Sequence, residues 1–308
     1  MSTDPFWTPE REALRRTVRT FMAREVLSHL PSWEESGDLP VSLHRAAAAA
    51  GLLGVGFDES VGGSGGDVLD TVVVTEEILL SGGSGGLVAG LLTHGIALPH
   101  IVAAGDPALI ETVVRPVLGG EAIAALAVTE PDGGSDVAAL RTRATAEADH
   151  YVVNGSKTYI TSGLRADYLT TAVRTGGPGH SGLSLLVIPA LARGISRRPL
   201  EKMGWRCSDT AEIAFVDVRV SRANLVGAAG TGFVQLATQF VDERIALAVQ
   251  AYATAQRCLD LTVGWVRNRE TFGRSLASRQ LVRHRLVEMH RQVDVARTYT
   301  RQVHFGSR

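Results

Sequence analysis

The order of its periodicities limits most strongly how this chain can fold: helical first, then β, then helical again, each in its own block. From Thr8 onward Leu14, Val18, Phe21 and Met22 line one helical face while Glu and Arg fill the other. Leu43 to Leu53 continues this character, and glycine-rich stretches at Gly54–Gly66 and Ser81–Gly86 break it into segments. Between Ala124 and Val220 the texture changes to short runs of β-branched and aromatic residues at Ala125–Thr129, Tyr151–Thr161, Tyr168–Val173, Leu183–Ile188 and Ile213–Val220. Within the second run the Asn154-Gly155 pair predicts a hairpin turn. After Gly232 helical spacing returns through Phe240, Ile245, Val249 and Tyr252, and a further helix from near Ser278 carries Leu281, Leu286, Met289 and Val293. Blocks segregated in this way predict an α+β fold and argue against a doubly wound sheet. The expected division is an N-terminal helical domain over 1–123, a middle β domain over 124–233 and an incomplete C-terminal helical bundle over 234–308. No Gly-x-Gly-x-x-Gly follows a strand, so a Rossmann site is not supported.

Charge and cysteine content narrow the function. Lys and Arg number 31 against 32 Asp and Glu, which leaves no field to gather nucleic acid or anionic lipid. The opening Met1–Glu10 carries acids and a proline instead of a basic, apolar leader, and the longest apolar stretch, Ala46–Phe57, is short and rich in Ala and Gly. A cytoplasmic protein away from membranes is expected. Cys207 and Cys258 stand far apart with no Cys-x-x-Cys or Cys/His cluster, so neither a disulfide framework nor a metal site is expected.

Four ordered motifs carry a resemblance. They are Ala127-Val128-Thr129-Glu130-Pro131-Asp132-Gly133-Gly134-Ser135-Asp136; Asn154-Gly155-Ser156-Lys157-Thr158-Tyr159-Ile160-Thr161-Ser162-Gly163; Lys202–Thr210 with Phe215–Val220 and Asn224–Gly227; and Arg269-Glu270-Thr271-Phe272-Gly273 followed by Gln280. Together they resemble the acyl-CoA dehydrogenase family, and within it the long-chain and isovaleryl subgroup. The resemblance implies a flavoprotein oxidoreductase of fatty acid and lipid metabolism. Such an enzyme removes the α proton of a saturated acyl-CoA, transfers the β hydride to N5 of FAD, and releases a trans-2-enoyl-CoA. It also implies a homo-oligomer, dimer or tetramer, that hands electrons to an electron-transferring flavoprotein or a similar acceptor.

Residue roles follow from the same resemblance. Leu126, Val128 and Thr129 would border the flavin ring, where a backbone edge and a hydroxyl suit its polar rim. Ser135, in a turn of small residues, would lie near both flavin and substrate. Tyr159 stands where most relatives hold tryptophan and would flank the flavin as an aromatic plate, beside Ile160 and Thr161, whose hydroxyl would lie near N5. Arg269 would donate paired hydrogen bonds to the FAD pyrophosphate of a neighbouring subunit, with Thr271, Phe272 and Gln280 around the adenosine end. Asp242-Glu243-Arg244 matches the helix position at which the long-chain and isovaleryl members carry their base, so Glu243 is the expected catalytic base, with Val241 and Arg244 at the substrate. Taken alone, that tripeptide is also what an acidic first helical turn looks like. Glu130 is expected to be structural.

The chain ends at Val303-His304-Phe305-Gly306-Ser307-Arg308, ahead of the family's last helices. The expectation is therefore a C-terminally truncated member with apolar helix faces left to cover. The alternatives are a non-catalytic or partner-dependent subunit, and an acyl-CoA oxidase or flavin monooxygenase on the same fold.

Overall fold

Helices at Pro9–Phe21 (α1), Leu30–Ser36 (α2), Val41–Ala49 (α3), Val68–Leu80 (α4), Gly85–Leu91 (α5), His94–Ala97 (α6), Pro99–Ala104 (α7), Pro107–Leu109 (α8) and Arg115–Leu118 (α9) precede the sheet. Gly232–Asn268 (α10) and Gln280–Phe305 (α11) follow it. The structure, a computed structural model, describes residues 6–305; Met1–Pro5 and Gly306–Arg308, to which the expectations about the chain's ends refer, lie outside the described residues. The chain divides into two units, one formed by residues up to Ser28, Asp67–Gly85 and Asp242 onward, the other by His29–Gly66 and Gly86–Val241.

The first unit is helical. α4 is buried on nearly every side, with Val72, Val73, Ile78 and Leu79 in the core, which suits its apolar runs Val72–Val74 and Ile78–Leu80. An Asp67–Asp70 capping box starts it. Adjacent buried acids on α4 face different partners: Glu77 takes Arg15 at 2.6 Å and Arg19 at 2.7 Å from α1, and Glu76 takes Arg301 at 2.8 Å from α11 and the Tyr252 hydroxyl at 3.1 Å from α10. On α10, Val249, Tyr252, Leu259 and Val266 form the buried seam. α11 forms where the helical spacing predicts it, but only part of its apolar set is covered. Leu281 is 71% exposed and Met289 is exposed as well, while Val293 turns inward together with the guanidinium groups of Arg297 and Arg301 that meet Glu76.

The second unit holds the β domain with its flanking helices. Its strands are Ala124–Ala127 (β1), Arg143–Ala146 (β2), His150–Thr161 (β3), Tyr168–Arg174 (β4), Leu183–Pro189 (β5), Ile195–Pro199 (β6) and Thr210–Ser221 (β7). They run in the order β1-β4-β2-β3-β7-β6, with β5 also on β4. β2 and β6 were not legible, because Arg-Ala-Thr-Ala and Ile-Ser-Arg-Arg-Pro are polar and mostly exposed. One core lies under Tyr151, Val153, Ile160, Ile188 and Phe215; another joins β1 and β5 to α6, α7, Leu236 and Phe240.

The expected turn at Asn154-Gly155 is absent, and β3 runs straight through it. Gly155 sits at φ 147° beside a register shift against β7, and a Cβ there would stand 2.6 Å from Thr142 Oγ1. The pair therefore marks a bulge at which a neighbouring backbone comes close. The reversal between β2 and β3 falls instead at Glu147–Asp149. Among the described residues no single helix is long and apolar enough to cross a membrane, and no cluster suits a metal ion.

Candidate active site

β1 stops at Ala127, one residue before the expected flavin edge, so Val128 and Thr129 follow the strand instead of lying on it. The reason is a change of partner. The Thr129 carbonyl accepts from the Thr158 N–H at 2.9 Å, and the Val128 carbonyl accepts from the Lys157 ammonium at 2.8 Å. Both partners come from β3, which draws the segment away from β4. Glu130 completes the arrangement: Oε1 accepts from Lys157 Nζ and the Thr142 N–H, each at 2.8 Å, and Oε2 from the Arg141 N–H at 2.6 Å. Lys157 is fully buried. Burial pulls its ammonium down to about 8, and the facing carboxylate limits the fall. Burial acts to raise Glu130, but the Lys157 charge and these hydrogen bonds outweigh it and hold the carboxyl below its ordinary range.

β3 then carries the second group. Lys157 and Ile160 flank a further register shift against β7, where three steps along β3 match two along its partner, and Tyr159 adopts φ 59° at this bulge. A left-handed backbone is costly for an aromatic residue. Here it leaves the Tyr159 ring 70% exposed while Ile160 stays in the core, so Ile160 has only its backbone to offer a ligand. Thr161 is half-buried at the strand's end. The turn after it is tied down by Asp209, which accepts from the Leu164 N–H at 2.7 Å and from Arg165 Nε at 2.6 Å. Leu126 and Val128 pack against the core, and Ser135 is exposed in the turn after Glu130. The second unit thus brings Leu126, Val128, Thr129, Tyr159, Ile160 and Thr161 onto one pair of tied segments. Sequence reasoning missed Lys157, Thr142 and Asp209 as their supports.

The other candidates sit on α10 and after it. Glu243 is half-buried, its Oε1 is buried without a hydrogen-bond partner among the described residues, and burial pushes the carboxyl up to about 7 against the opposing charge of Arg244. Val241 and Arg244 are exposed. Arg269 follows the end of α10, ahead of a two-stranded hairpin of Glu270–Thr271 and Arg274–Ser275. Its turn residues Phe272 and Gly273 have φ 51° and 69°, a conformation that glycine accepts at no cost. Phe272 is 95% exposed at the tip, and Arg269 and Gln280 are exposed too. Thr271 is half-buried, and its carbonyl accepts from Arg279. At ~1.5 Å per residue the helix between Glu243 and Asn268 is ~37 Å long, so within one chain the hairpin stands far from Glu243.

This donor set suits FAD. The second unit offers an exposed aromatic plate, a backbone edge whose carbonyls are already committed and a small-residue turn, and the first unit, taken by itself, an exposed arginine.

Comparison with known proteins identifies the family. Models of the acyl-CoA dehydrogenase N-terminal, middle and C-terminal domains match residues 8–121, 125–218 and 230–304. The mouse long-chain specific acyl-CoA dehydrogenase, a mitochondrial protein, is 34% identical over 299 residues, covering 95% of this chain and 69% of its own. The crystal structure of a probable acyl CoA dehydrogenase from Mycobacterium abscessus is 61% identical with a TM-score of 0.96, covering 97% of this chain and 80% of the other. Butyryl-CoA dehydrogenase from Megasphaera elsdenii is 27% identical with a TM-score of 0.91, covering 98% and 80%.

Proposed function

Because this chain belongs to the acyl-CoA dehydrogenase family, whose members are FAD-dependent enzymes that dehydrogenate acyl-CoA substrates, we propose that it converts a saturated acyl-CoA to the trans-2-enoyl-CoA with Glu243 as base. The observation that carries this reading is the Glu243 carboxyl, buried at one oxygen with no hydrogen-bond partner among the described residues and pushed up to about 7. An ordinary surface glutamate is a weak base, fully ionised and solvated. One raised to near neutrality is matched to taking a proton at working pH and keeping it. The unpartnered Oε1 leaves a lone pair for the α proton, and the Arg244 charge keeps the group ionised often enough to act.

When bound, FAD supplies the hydride acceptor for the β carbon. The chain's own part is placement. Tyr159 offers a plate for the ring, and Thr129 and Thr161 offer hydroxyls. Arg269 grips a pyrophosphate, and its distance from Glu243 along α10 favours a flavin shared with a second copy of the chain, hence a dimer at least. Long or branched acyl chains are the favoured substrates, on the match of Glu243-Arg244 and the likeness to a long-chain specific relative. An electron-transferring flavoprotein is the proposed acceptor.

Exchange at the α carbon tests the base. With FAD bound and oxygen excluded, the protein should wash deuterium out of an acyl-CoA labelled at C2, and Glu243→Gln should stop the washout while FAD stays bound. Undiminished exchange in the variant would move the base to another residue.

A further inference from the structure

Lys157 is the one charged residue described as wholly inaccessible to solvent, and the reaction just proposed makes no use of it. Among the described residues its three protons meet two acceptors, Val128 O and Glu130 Oε1, both at 2.8 Å. Glu130 is in turn fixed by the N–H groups of Arg141 and Thr142. Thr142 also packs against the bulge at Gly155, two residues before Lys157. The loop closes on itself. β3 reaches through a lysine to the Val128–Thr129 edge, and that edge reaches through a glutamate to the start of β2. A buried pair of this kind is costly to desolvate and is weak evidence for stability, so its value here has to come from what it holds.

We infer that the buried Lys157–Glu130 pair is a positioning clamp for the flavin, fixing the Val128–Thr129 edge and setting the charge that the reduced ring meets. The inference rests on the proposed flavin reading of that edge. The ammonium donates to the carbonyl of a residue proposed to border the ring and is itself closed to solvent. At such a site a positive charge favours the reduced, more negative flavin, and the fixed carboxylate opposes it. Removing only the ammonium leaves a net negative charge beside the ring, whereas removing both charges restores neutrality. Among the described residues, Glu130 is the carboxylate within ion-pair distance of Lys157, and β7 opposite it presents Ile213. Burial of the ammonium places its loss of a proton within reach of ordinary buffers.

The test is the midpoint potential of bound FAD, measured with its dissociation constant, in the unmodified protein, Lys157→Met, and the double variant Lys157→Met/Glu130→Gln. The single variant should bind reduced FAD at least tenfold less well relative to oxidised FAD, a fall of about 30 mV for a two-electron couple. The double variant should recover most of that shift. A clamp that served structure alone would weaken both redox forms equally, so bound FAD at an unchanged potential would overturn the inference and leave the flavin reading standing. Equal shifts in both variants would also overturn it. No FAD binding by the unmodified protein would remove both. Should Lys157→Met fail to fold, Glu130→Gln alone decides: with the opposing carboxylate gone the potential should rise, and an unchanged or lower potential contradicts the clamp.

Discussion

Glu243→Gln should make the protein more stable and less active at once, and the size of the gain should depend on pH. Moving a carboxyl from 4.5 to about 7 on folding is equivalent to ~3.4 kcal/mol at 1.36 kcal/mol per pH unit. The group is only half-buried, so screening by water reduces this to about 1–2 kcal/mol. The sign follows from proton counts. Between the unfolded value and about 7 the folded state holds a proton that the unfolded state has released, so stability falls as pH rises through that window and levels off above it. Below it both states are protonated and the penalty vanishes. Glutamine removes the ionisable group, so the variant should match the unmodified protein at pH 4.5. At pH 8 it should melt roughly 2–8 °C higher, taking about 2–4 °C per kcal/mol. Thermal unfolding without substrate, at both pH values, measures this. A variant that melts lower at pH 8, or that gains equally at both pH values, would refute the burial argument and with it the case for a tuned base.

Three further perturbations probe the rest. Arg269→Ala should weaken FAD retention roughly 10- to 100-fold, the worth of a charge-assisted hydrogen bond, as read by flavin released on gel filtration; unchanged retention would discard the pyrophosphate role. Glu76→Gln leaves Arg301 and Arg297 facing no carboxylate on α4 and should cost about 3 kcal/mol in denaturant unfolding, whereas a neutral result would make the network ornamental. Gly155→Ala must fit a Cβ against Thr142 at positive φ and should cost roughly 2–4 kcal/mol; a tolerated alanine would argue against the bulge.

Much of the candidate site was legible because it lies in contiguous runs. Val128-Thr129 and Tyr159-Ile160-Thr161 stand in two short motifs, and the fold brings those motifs together with two contacts from β3. What escaped was support that depends on tertiary pairing. Lys157 stands in the quoted motif, and it shares strand parity with the buried Tyr151 and Val153, which was a signal that its charge points inward and needs an acid. The Asn-Gly pair misled because a tight turn and a bulge ask the same permissiveness of the backbone; the approach of Thr142 decides between them, and only the fold supplies that. The inner side of α11 escaped for a related reason: Val293, Arg297 and Arg301 turn inward because a glutamate on α4 receives the two guanidinium groups, a pairing that only the fold supplies. β2 and β6 carry too few β-branched residues to announce themselves, and β3 and β7 recruit them by pairing.

An anaerobic visible spectrum tests the claim that a bound flavin oxidises acyl-CoA here. The FAD-loaded protein should be yellow and should bleach stoichiometrically on addition of one acyl-CoA from a panel graded by chain length and branching, the long or branched members bleaching fastest. Bound flavin that keeps its colour with every member of the panel would contradict the claim.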